Sequence, residues 1–138
     1  MVDLEEQLAT VPLLAGLERK TRKRLSETGK RRTYAAGDEI VKQGTTGTAL
    51  YIILSGRATV VVDGTTVGML SAGDFFGELA LIEQHPRTAS VLAAEDTECL
   101  LFPAWEFMAL LDEHPEVAVP IMKALIARLH RSERHVSS

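Results

Sequence analysis

The sequence predicts an α+β fold, in which an antiparallel, jelly-roll-like β-roll is flanked by N-terminal helices and by two C-terminal helices. Three observations support this prediction. Apolar residues have helical spacing over residues 3–28, alternate with a period of two over residues 33–102, and return to helical spacing over residues 103–131. Glycine-containing turns divide the middle region into many short segments, which is typical of a sandwich or a rolled barrel.

The N-terminal region is predicted to form two helices. Leucines spaced four residues apart indicate a short helix over residues 3–9, which is interrupted at Pro12. A second helix is predicted over residues 18–28, and Gly29 is its expected end because glycine commonly terminates helices.

The middle region is predicted to contain short strands separated by turns. Its strongest hairpin signal is the Asp63-Gly64 pair between two apolar runs, because this dipeptide suits a two-residue turn. The predicted strands cover residues 33–36, 39–43, 50–54, 58–62, 65–70, 90–94 and 98–102.

The C-terminal region is predicted to form two helices separated by the His114-Pro115 pair. Pro103 suits the first turn of the first of these helices, and Trp105 is expected in the core or in a contact between helix and roll. The final helix is predicted over residues 116–131. Apolar residues recur there at every fourth position and predict a packed stripe, formed by Val117, Ile121, Leu125 and Leu129.

No internal repeat, low-complexity segment or long linker divides the chain. Residues 1–138 are therefore expected to form a single domain. Within it we expect an N-terminal helical segment over residues 1–32, the β-roll over residues 33–102 and the C-terminal helices over residues 103–131.

The composition fits a globular protein and argues against several classes. Hydrophobic residues make up 46% of the 138-residue chain and charged residues 25%. No apolar run reaches the ~18 residues that a membrane-spanning helix needs, and the acidic N-terminus is unlike a secretory signal. A single cysteine, Cys99, allows no internal disulfide and fits a reducing compartment, so we expect a cytoplasmic location and a buried, inert thiol.

The charges are distributed unevenly along the chain. The formal net charge is −4, yet eight of the fifteen Lys and Arg side chains fall within residues 19–32. This basic stretch is expected to be a solvated helix face and the loop after it, with docking on an acidic partner, a membrane surface or nucleic acid as the alternative. No aromatic residue interleaves these charges, which weakens the nucleic-acid alternative.

Residues 75–91, which read FFGELALIEQHPRTASV, place a glycine, a carboxylate and an arginine between two predicted strands. Gly77 can adopt a positive φ and lets a ligand approach the main chain closely. The residues after Glu78 favour a helix, and the first N–H groups of that helix would attract an anion. Arg87 offers a planar pair of donors for phosphate oxygens, and Thr88 adds a hydroxyl. Because the carboxylate suits a sugar hydroxyl, this combination predicts a nucleotide, whereas its parts taken alone would predict only a solvated surface turn.

The full string resembles the phosphate-binding cassette of the cyclic nucleotide-binding domains, the family of the catabolite activator protein, the regulatory subunits of cAMP-dependent kinase and gated channels. That cassette reads roughly F-G-E-[LIV]-A-[LIVM] and, after a spacer, R-[STA]-A-x-V. Residues 76–81 and 87–91 match it at every defined position. The resemblance extends from about residue 11 to about residue 129. The chain departs from the family at Thr45 and Thr48, where acidic residues are frequent, and at Ala58, where a larger apolar residue is usual.

The resemblance implies a role for each cassette residue. Glu78 would accept a hydrogen bond from the ribose 2′-hydroxyl, and Arg87 would pair with the cyclic phosphate. The alternatives are compensation of a helix dipole for Glu78 and an ion pair with Glu83 for Arg87. Thr88 leaves cGMP open as the ligand, while the family's frequent use of cAMP favours cAMP. The remaining ligand contacts would come from the backbone or from close approach, at Phe76, Gly77, Leu79, Ala80 and Ala89.

The resemblance also implies that the purine lies against the β-roll and beneath the C-terminal helix. Val67 and Leu70 are candidates for the wall of this site. Leu125, Arg128 and Leu129 are candidates for its cap. Each of these residues has an ordinary core or surface role as its alternative, because a stripe at helical spacing usually packs in a core.

The predicted function is a non-enzymatic cyclic-nucleotide sensor, or regulatory domain, that signals through movement of its C-terminal helix. The expected partner is an effector protein or a covalently linked effector domain, and a homodimer through the final helix stays open. Seven residues follow the predicted last helix, too few for a helix-turn-helix, so no DNA-binding segment is expected in this chain.

Two other functions are compatible with the predicted fold. The first is a nucleotide-independent interaction module that carries a relic cassette, and substitution of Arg87 would discriminate it from a sensor. The second is a cupin-like metalloenzyme, which needs clustered histidine and carboxylate ligands. No histidine occurs between residues 33 and 84, and the four histidines lack metal-site spacing, so we expect no metal and no cofactor.

Overall fold

The structure, a computed structural model, describes residues 3–47, 49–77 and 86–137, with side chains as far as residue 130. It confirms the predicted α+β class, with strands in two sheets between N-terminal and C-terminal helices. The helices are α1 (Leu4–Leu8), α2 (Arg19–Thr28), α3 (Ala104–Glu113) and α4 (Ala118–Ser137). The strands are β1 (Lys30–Tyr34), β2 (Glu39–Val41), β3 (Ala49–Ser55), β4 (Arg57–Val62), β5 (Thr65–Ser71), β6 (Phe75–Phe76), β7 (Ser90–Ala93) and β8 (Thr97–Pro103).

The strands form two antiparallel sheets that the chain enters in turn. The first sheet has the order β1-β8-β3-β6, and the second has the order β2-β7-β4-β5. Most consecutive strands lie in different sheets, so the chain rolls from one sheet to the other, as expected for a jelly-roll-like β-roll. None of the described helices is long and apolar enough to cross a membrane.

The predicted Asp63-Gly64 hairpin is confirmed between β4 and β5. Both residues adopt positive φ angles, 50° and 80°, which a two-residue turn of this hand requires. The Gln43 side chain holds the turn, because its Nε2 donates to Asp63 Oδ1 at 2.9 Å and its Oε1 accepts from the Asp63 N–H at 2.9 Å. The tip of the hairpin is thereby tied to the end of β2.

The first sheet separates two hydrophobic cores, because alternate residues of a strand point to opposite faces. One face packs against the helices, and the other packs against the second sheet. The core on the helix side contains Leu8, Leu14, Leu25, Leu50, Ile52, Phe75, Leu100, Phe102, Phe107 and Ile121. The core between the sheets contains Ile40, Val41, Ile53, Ala58, Leu70, Phe76, Val91, Ala93 and Cys99.

The basic stretch was expected to be a helix face and the loop after it, but the structure confirms this only in part. Its last residues, Lys30 to Arg32, belong to β1, which pairs with β8 at the edge of the first sheet. The strand was predicted to start three residues later because its basic side chains are all exposed and give no apolar alternation. Exposed Lys and Arg are common on edge strands, where they discourage pairing with other chains.

Half of the basic stretch is engaged in ion pairs. Arg22 reaches the buried carboxylate of Glu5 at 3.0 Å and ties α2 to α1. Arg24 pairs with Glu113 of α3, and Arg31 pairs with Glu98 of β8. The remaining pair joins Arg19 to Glu5.

Gly29 ends α2 as predicted, although the reason differs from the one expected. Its φ is −69°, so it does not adopt the left-handed conformation of a typical glycine cap. Instead, a Cβ at this position would lie 2.8 Å from side-chain atoms of Leu100 and Phe102. Glycine is required there because the chain passes directly over the helix-side core.

Several details of the C-terminal region were predicted wrongly. Trp105 does not lie in the core, since 74% of its surface is exposed. Leu129 is 57% exposed, so the predicted apolar stripe is packed at Val117, which lies just before α4, and at Ile121, but not at its far end. Pro103 ends β8 and precedes α3, and a 3-10 turn (Pro115–Val117) precedes α4. Periodicity alone does not specify which face of a helix meets the core.

Cys99 is fully buried between the sheets, as predicted. Burial raises the pKa of its thiol to about 12, with a smaller contribution from the Glu98 carboxylate. The thiol is therefore protonated at neutral pH and has little nucleophilic character.

Candidate functional site

Gly77 follows β6 directly. Its φ is 86°, so it adopts the positive φ that its sequence context allows. A Cβ at this position would lie 2.6 Å from the carbonyl oxygen of Ala49 and 3.1 Å from Nη1 of Arg87. Glycine is therefore needed both for the backbone turn and for the approach of the arginine.

Arg87 lies just before β7 and is fixed by its backbone to the loop between β2 and β3. Its N–H donates to the Thr45 carbonyl at 2.8 Å, and its carbonyl accepts from the Gly44 N–H at 2.9 Å. These two bonds bring the cassette arginine close to Gly47 of the same loop. Sequence reasoning missed this loop, and the closely spaced glycines Gly44 and Gly47 were the available signal.

The Arg87 side chain is half-buried and lies over an aromatic ring. Its guanidinium carbon is 5.6 Å from the centre of the Tyr51 ring, within the range of a cation–π interaction. Since Nη1 also lies near Gly77, the structure brings together the glycine and the arginine that the sequence placed ten residues apart.

Tyr51 is supported in turn by Phe76. The two residues are paired in the β3–β6 ladder, and their rings stack with centres 4.7 Å apart and planes 10° from parallel. Phe76 is buried in the core between the sheets, so it supports the Tyr51 ring from the core side. Tyr51 also lies near Tyr34, whose pKa is raised mainly by burial and then by Tyr51. Sequence reasoning did not single out Tyr51.

The other cassette residues divide into described and undescribed ones. Thr88 is exposed, and Ala89 is half-buried. Ser90, at the start of β7, accepts a hydrogen bond from the Gln43 N–H at 2.8 Å, which again ties the cassette to the end of β2. Glu78, Leu79 and Ala80 lie outside the described residues, as does Glu83, the alternative ion-pair partner of Arg87.

The two candidates for the purine wall lie in different surroundings. Leu70 is buried in the core between the sheets, which also contains Phe76. Val67 is 47% exposed, as are its neighbours in β5, and it lies at a register slip of the β4–β5 ladder, opposite no residue of β4. The structure thus brings Leu70, but not Val67, to the core beneath the arginine.

Of the three cap candidates on α4, Arg128 contacts the cassette strand. Its guanidinium donates a hydrogen bond to the Phe75 carbonyl and lies 4.9 Å from the centre of the Phe75 ring. Leu125 packs at the edge of the helix-side core, and Leu129 is exposed. Arg128 therefore joins α4 to the strand that ends immediately before Gly77.

An open cavity of about 390 Å³ lies between α4 and the β5–β6 turn. It brings Leu70 and Arg128 to a common space, as the candidate purine site requires. Gly77 and Arg87 are not among its lining residues, so the cavity does not contain the arginine site.

The described residues contain no group of three or more His, Cys, Asp or Glu side chains that could hold a metal ion. The polar groups that converge near the cassette are instead a guanidinium and the backbone at a left-handed glycine. Such groups favour an anionic ligand.

Comparison with known proteins identifies the family of this chain. The family model for the cyclic nucleotide-binding domain matches residues 31–114, which is more than half of the chain. A cAMP-dependent protein kinase regulatory subunit of Hypocrea atroviridis is 36% identical over 107 residues, covering 78% of this chain and 23% of the relative. A cGMP-dependent protein kinase of Toxoplasma gondii is 45% identical over 67 residues, covering 49% of this chain and 7% of the relative.

A solved structure of the regulatory domain of Toxoplasma gondii PKA with cAMP superposes with a TM-score of 0.76 at 28% identity. The superposition covers 88% of this chain and 48% of that one. The chain thus spans less than a quarter of the two kinase relatives and about half of the solved regulatory domain. On the family match and these relatives, the chain belongs to the cyclic nucleotide-binding domain family.

Proposed function

We propose that this chain binds a cyclic nucleotide, cAMP in preference to cGMP, and that it acts as a regulatory domain and not as an enzyme. One observation carries the proposal. The Arg87 guanidinium, held over the Tyr51 ring, meets the left-handed turn at Gly77, with Nη1 3.1 Å from where a Cβ of that glycine would lie. A guanidinium, which offers two parallel N–H donors, and an accessible backbone suit the single negative charge of a cyclic phosphate.

Each cassette residue has a proposed role at this site. Arg87 pairs with the cyclic phosphate, with Thr88 beside it, and Glu78 accepts a hydrogen bond from the ribose 2′-hydroxyl. Gly77 lets the ligand approach the main chain. The remaining contacts are made by the backbone or by close approach, at Phe76, Leu79, Ala80 and Ala89.

The choice between the two purines rests on Thr88 and on the relatives. The exposed Thr88 hydroxyl is available to a ligand and leaves cGMP open. Relatives named for cAMP and for cGMP both match this chain. One hydrogen bond is worth about 1 kcal/mol, or several-fold in affinity, so the preference for cAMP is expected to be modest.

The purine is proposed to lie toward the cavity beside α4. Leu70, which lines this cavity, is proposed to form part of the wall of the purine site, and Arg128, which also lines it, is proposed to form part of the cap. Leu125 supports the cap from the helix-side core. Val67 and Leu129 are exposed, so they would contact the purine only if the hairpin and α4 fold over the ligand.

Signalling is proposed to proceed through α4. The Arg128 contact with Phe75 joins this helix to β6, which runs directly into Gly77. A ligand that changes the position of Gly77 would therefore change the contact between Arg128 and Phe75. It can shift α4 only by as much as it prefers one arrangement over the other.

The proposed partner is an effector protein, or an effector domain linked covalently to a single domain formed by residues 1–138. A cytoplasmic location is proposed with it. A homodimer is also proposed, because four large apolar side chains lie exposed along α4 at the 3-4-3 spacing of a coiled-coil seam. They are Val119, Met122, Ile126 and Leu129.

Isothermal titration with cAMP, cGMP and 5′-AMP tests the proposal directly. Low-micromolar or tighter binding of a cyclic nucleotide, without binding of 5′-AMP, is the expected result, and the tighter ligand identifies the purine preference. The absence of heat with all three, together with an unchanged melting temperature, would overturn it. That outcome would favour the nucleotide-independent interaction module with a relic cassette.

A further inference from the structure

We propose that Gly47 and Tyr51 are positioning residues, which together fix the Arg87 guanidinium where it meets its anionic ligand. This inference rests on the proposed function and extends it to two residues outside the cassette. Gly47 lies in the loop between β2 and β3, and Tyr51 lies in β3.

Gly47 is required by the Arg87 side chain and not by its own backbone. It is not among the glycines with positive φ, so an alanine could adopt its conformation. However, a Cβ at residue 47 would overlap the guanidinium, with Nε only 2.6 Å and Cζ only 2.7 Å away. The guanidinium is the far end of a flexible side chain, so it would move aside while the fold stayed intact.

Tyr51 bounds the guanidinium on another side. Its ring is held in place by the stack on Phe76, which is only 5% exposed. A ring fixed in this way favours one orientation of the arginine above it. The phenol hydroxyl is not needed for this role, because the attraction comes from the face of the ring.

Gly77 and the backbone bonds of Arg87 complete the enclosure. The main chain of Arg87 is pinned to Thr45 and Gly44, so only its side-chain torsions are left to be restricted. A free arginine loses much rotamer entropy when it is ordered by a ligand. A guanidinium already ordered by Gly47, Tyr51 and Gly77 loses less, so binding is expected to be tighter.

The first test compares two glycine-to-alanine variants. Gly47→Ala is expected to lower cyclic-nucleotide affinity at least about tenfold, which corresponds to roughly 1.4 kcal/mol, with a melting temperature close to that of the wild type. Gly16→Ala is the matched control. Gly16 also lacks a positive φ, and a Cβ there would meet no atom within 4 Å, so affinity should be unchanged. Equal affinity of the two variants would overturn the role of Gly47.

The second test separates the ring of Tyr51 from its hydroxyl. Tyr51→Phe is expected to keep affinity within about twofold, whereas Tyr51→Leu should lose about fivefold because it has no ring face. A double variant with Arg87→Ala should lose no more than Arg87→Ala alone, since Tyr51 acts through that arginine. Additive losses, or an equal loss in Tyr51→Phe, would overturn the role of Tyr51.

A third readout needs no nucleotide. The Arg87 Nε–H signal in a ¹⁵N NMR spectrum should carry a ring-current shift in the wild type, in Tyr51→Phe and in Gly16→Ala, and should lose it in Gly47→Ala and Tyr51→Leu. If the wild type binds no cyclic nucleotide, the proposed function fails, while this signal still decides the positioning role. An Arg87 signal that does not change in Gly47→Ala and Tyr51→Leu would refute the inference.

Discussion

Phe75 and Phe76 are neighbours in sequence, yet their rings lie on opposite faces of the first sheet. Phe75 packs in the helix-side core, with the Arg128 guanidinium 4.9 Å from its ring centre. Phe76 packs between the sheets and stacks on Tyr51, which lies beneath Arg87. The two-residue strand β6 therefore links the proposed anion site to the C-terminal helix.

Arg87→Ala is expected to weaken cyclic-nucleotide binding by roughly 2–5 kcal/mol, because the cyclic phosphate is left unpaired in a partly dry site. Titration calorimetry measures this loss. Arg57→Ala is a suitable control, since that arginine is exposed and its guanidinium pairs with Glu95. Near-native affinity of the Arg87 variant would eliminate the proposed anion role and favour an interaction module.

Glu78→Gln is expected to weaken binding less than Arg87→Ala does. The amide oxygen still accepts the ribose hydrogen bond, but it no longer carries a charge. Titration of both variants under the same conditions gives the ranking. A larger loss in Glu78→Gln than in Arg87→Ala would show that the sugar contact, and not the phosphate contact, dominates.

Arg128→Leu is expected to loosen α4, because it removes both the hydrogen bond to Phe75 and the cation–π contact. Loss of these two contacts should lower the free energy of unfolding by about 1–3 kcal/mol. Hydrogen exchange of the α4 amides should accelerate in the same variant. His130→Ala, at an exposed position of the same helix, serves as the control. Unchanged protection of α4 would argue that Arg128 does not hold it.

Cys99 should make stability depend on pH in the alkaline range. Burial raises the pKa of its thiol from 9.0 to about 12, so the folded chain retains a proton that the unfolded chain releases. Ionisation of this thiol leaves the free energy of unfolding unchanged below about pH 9. As the pH rises from there toward about 12, it lowers the free energy of unfolding by up to about 1.4 kcal/mol per pH unit.

Comparison of the wild type with Cys99→Ala isolates this dependence from that of lysines and tyrosines. Urea unfolding at about pH 8 and about pH 10.5 should show a steeper loss of stability in the wild type than in the variant. Parallel losses in the two proteins would mean that the thiol ionises equally in the folded and unfolded chains. The folded wild type should also react slowly with thiol reagents at neutral pH.

Ile126→Glu should dissociate the proposed homodimer, because it places a charge in the centre of the apolar seam of α4. Ile126 is 53% exposed, so its substitution should leave the folded protomer intact. Sedimentation velocity should show a dimer for the wild type and a monomer for the variant. Val67→Glu is a control, because this residue is also exposed but lies on the β5 side of the roll. A monomeric wild type would exclude the dimer.

The sequence predicted those features that depend on neighbouring residues. The Asp63-Gly64 turn and the left-handed Gly77 follow from local backbone preferences. The end of α2 at Gly29 was also predicted, but glycine is needed there because Leu100 and Phe102 approach closely. The β6 strand was not predicted, because two residues are too few to show alternation. The start of β1 was misplaced, because an edge strand with exposed side chains lacks an apolar face.

The candidate site was predicted in part for the same reason. The glycine, glutamate and arginine of the cassette lie within one short segment, so their pattern could be recognised from the sequence. The surroundings of Arg87 could not be recognised from the sequence. Gly47 stands forty residues before Arg87, and only the folded chain brings its Cα beside the guanidinium.

The sequence by itself determined the fold class, the alternation of helices and strands and the cassette, since periodicity and turn chemistry are properties of contiguous residues. The tertiary structure alone decided that Tyr51 lies beneath Arg87, that Arg128 holds Phe75, and that Trp105 and Leu129 face outward. These relationships depend on how the sheets and helices pack against one another. That packing is set by contacts between distant segments, which no local pattern encodes.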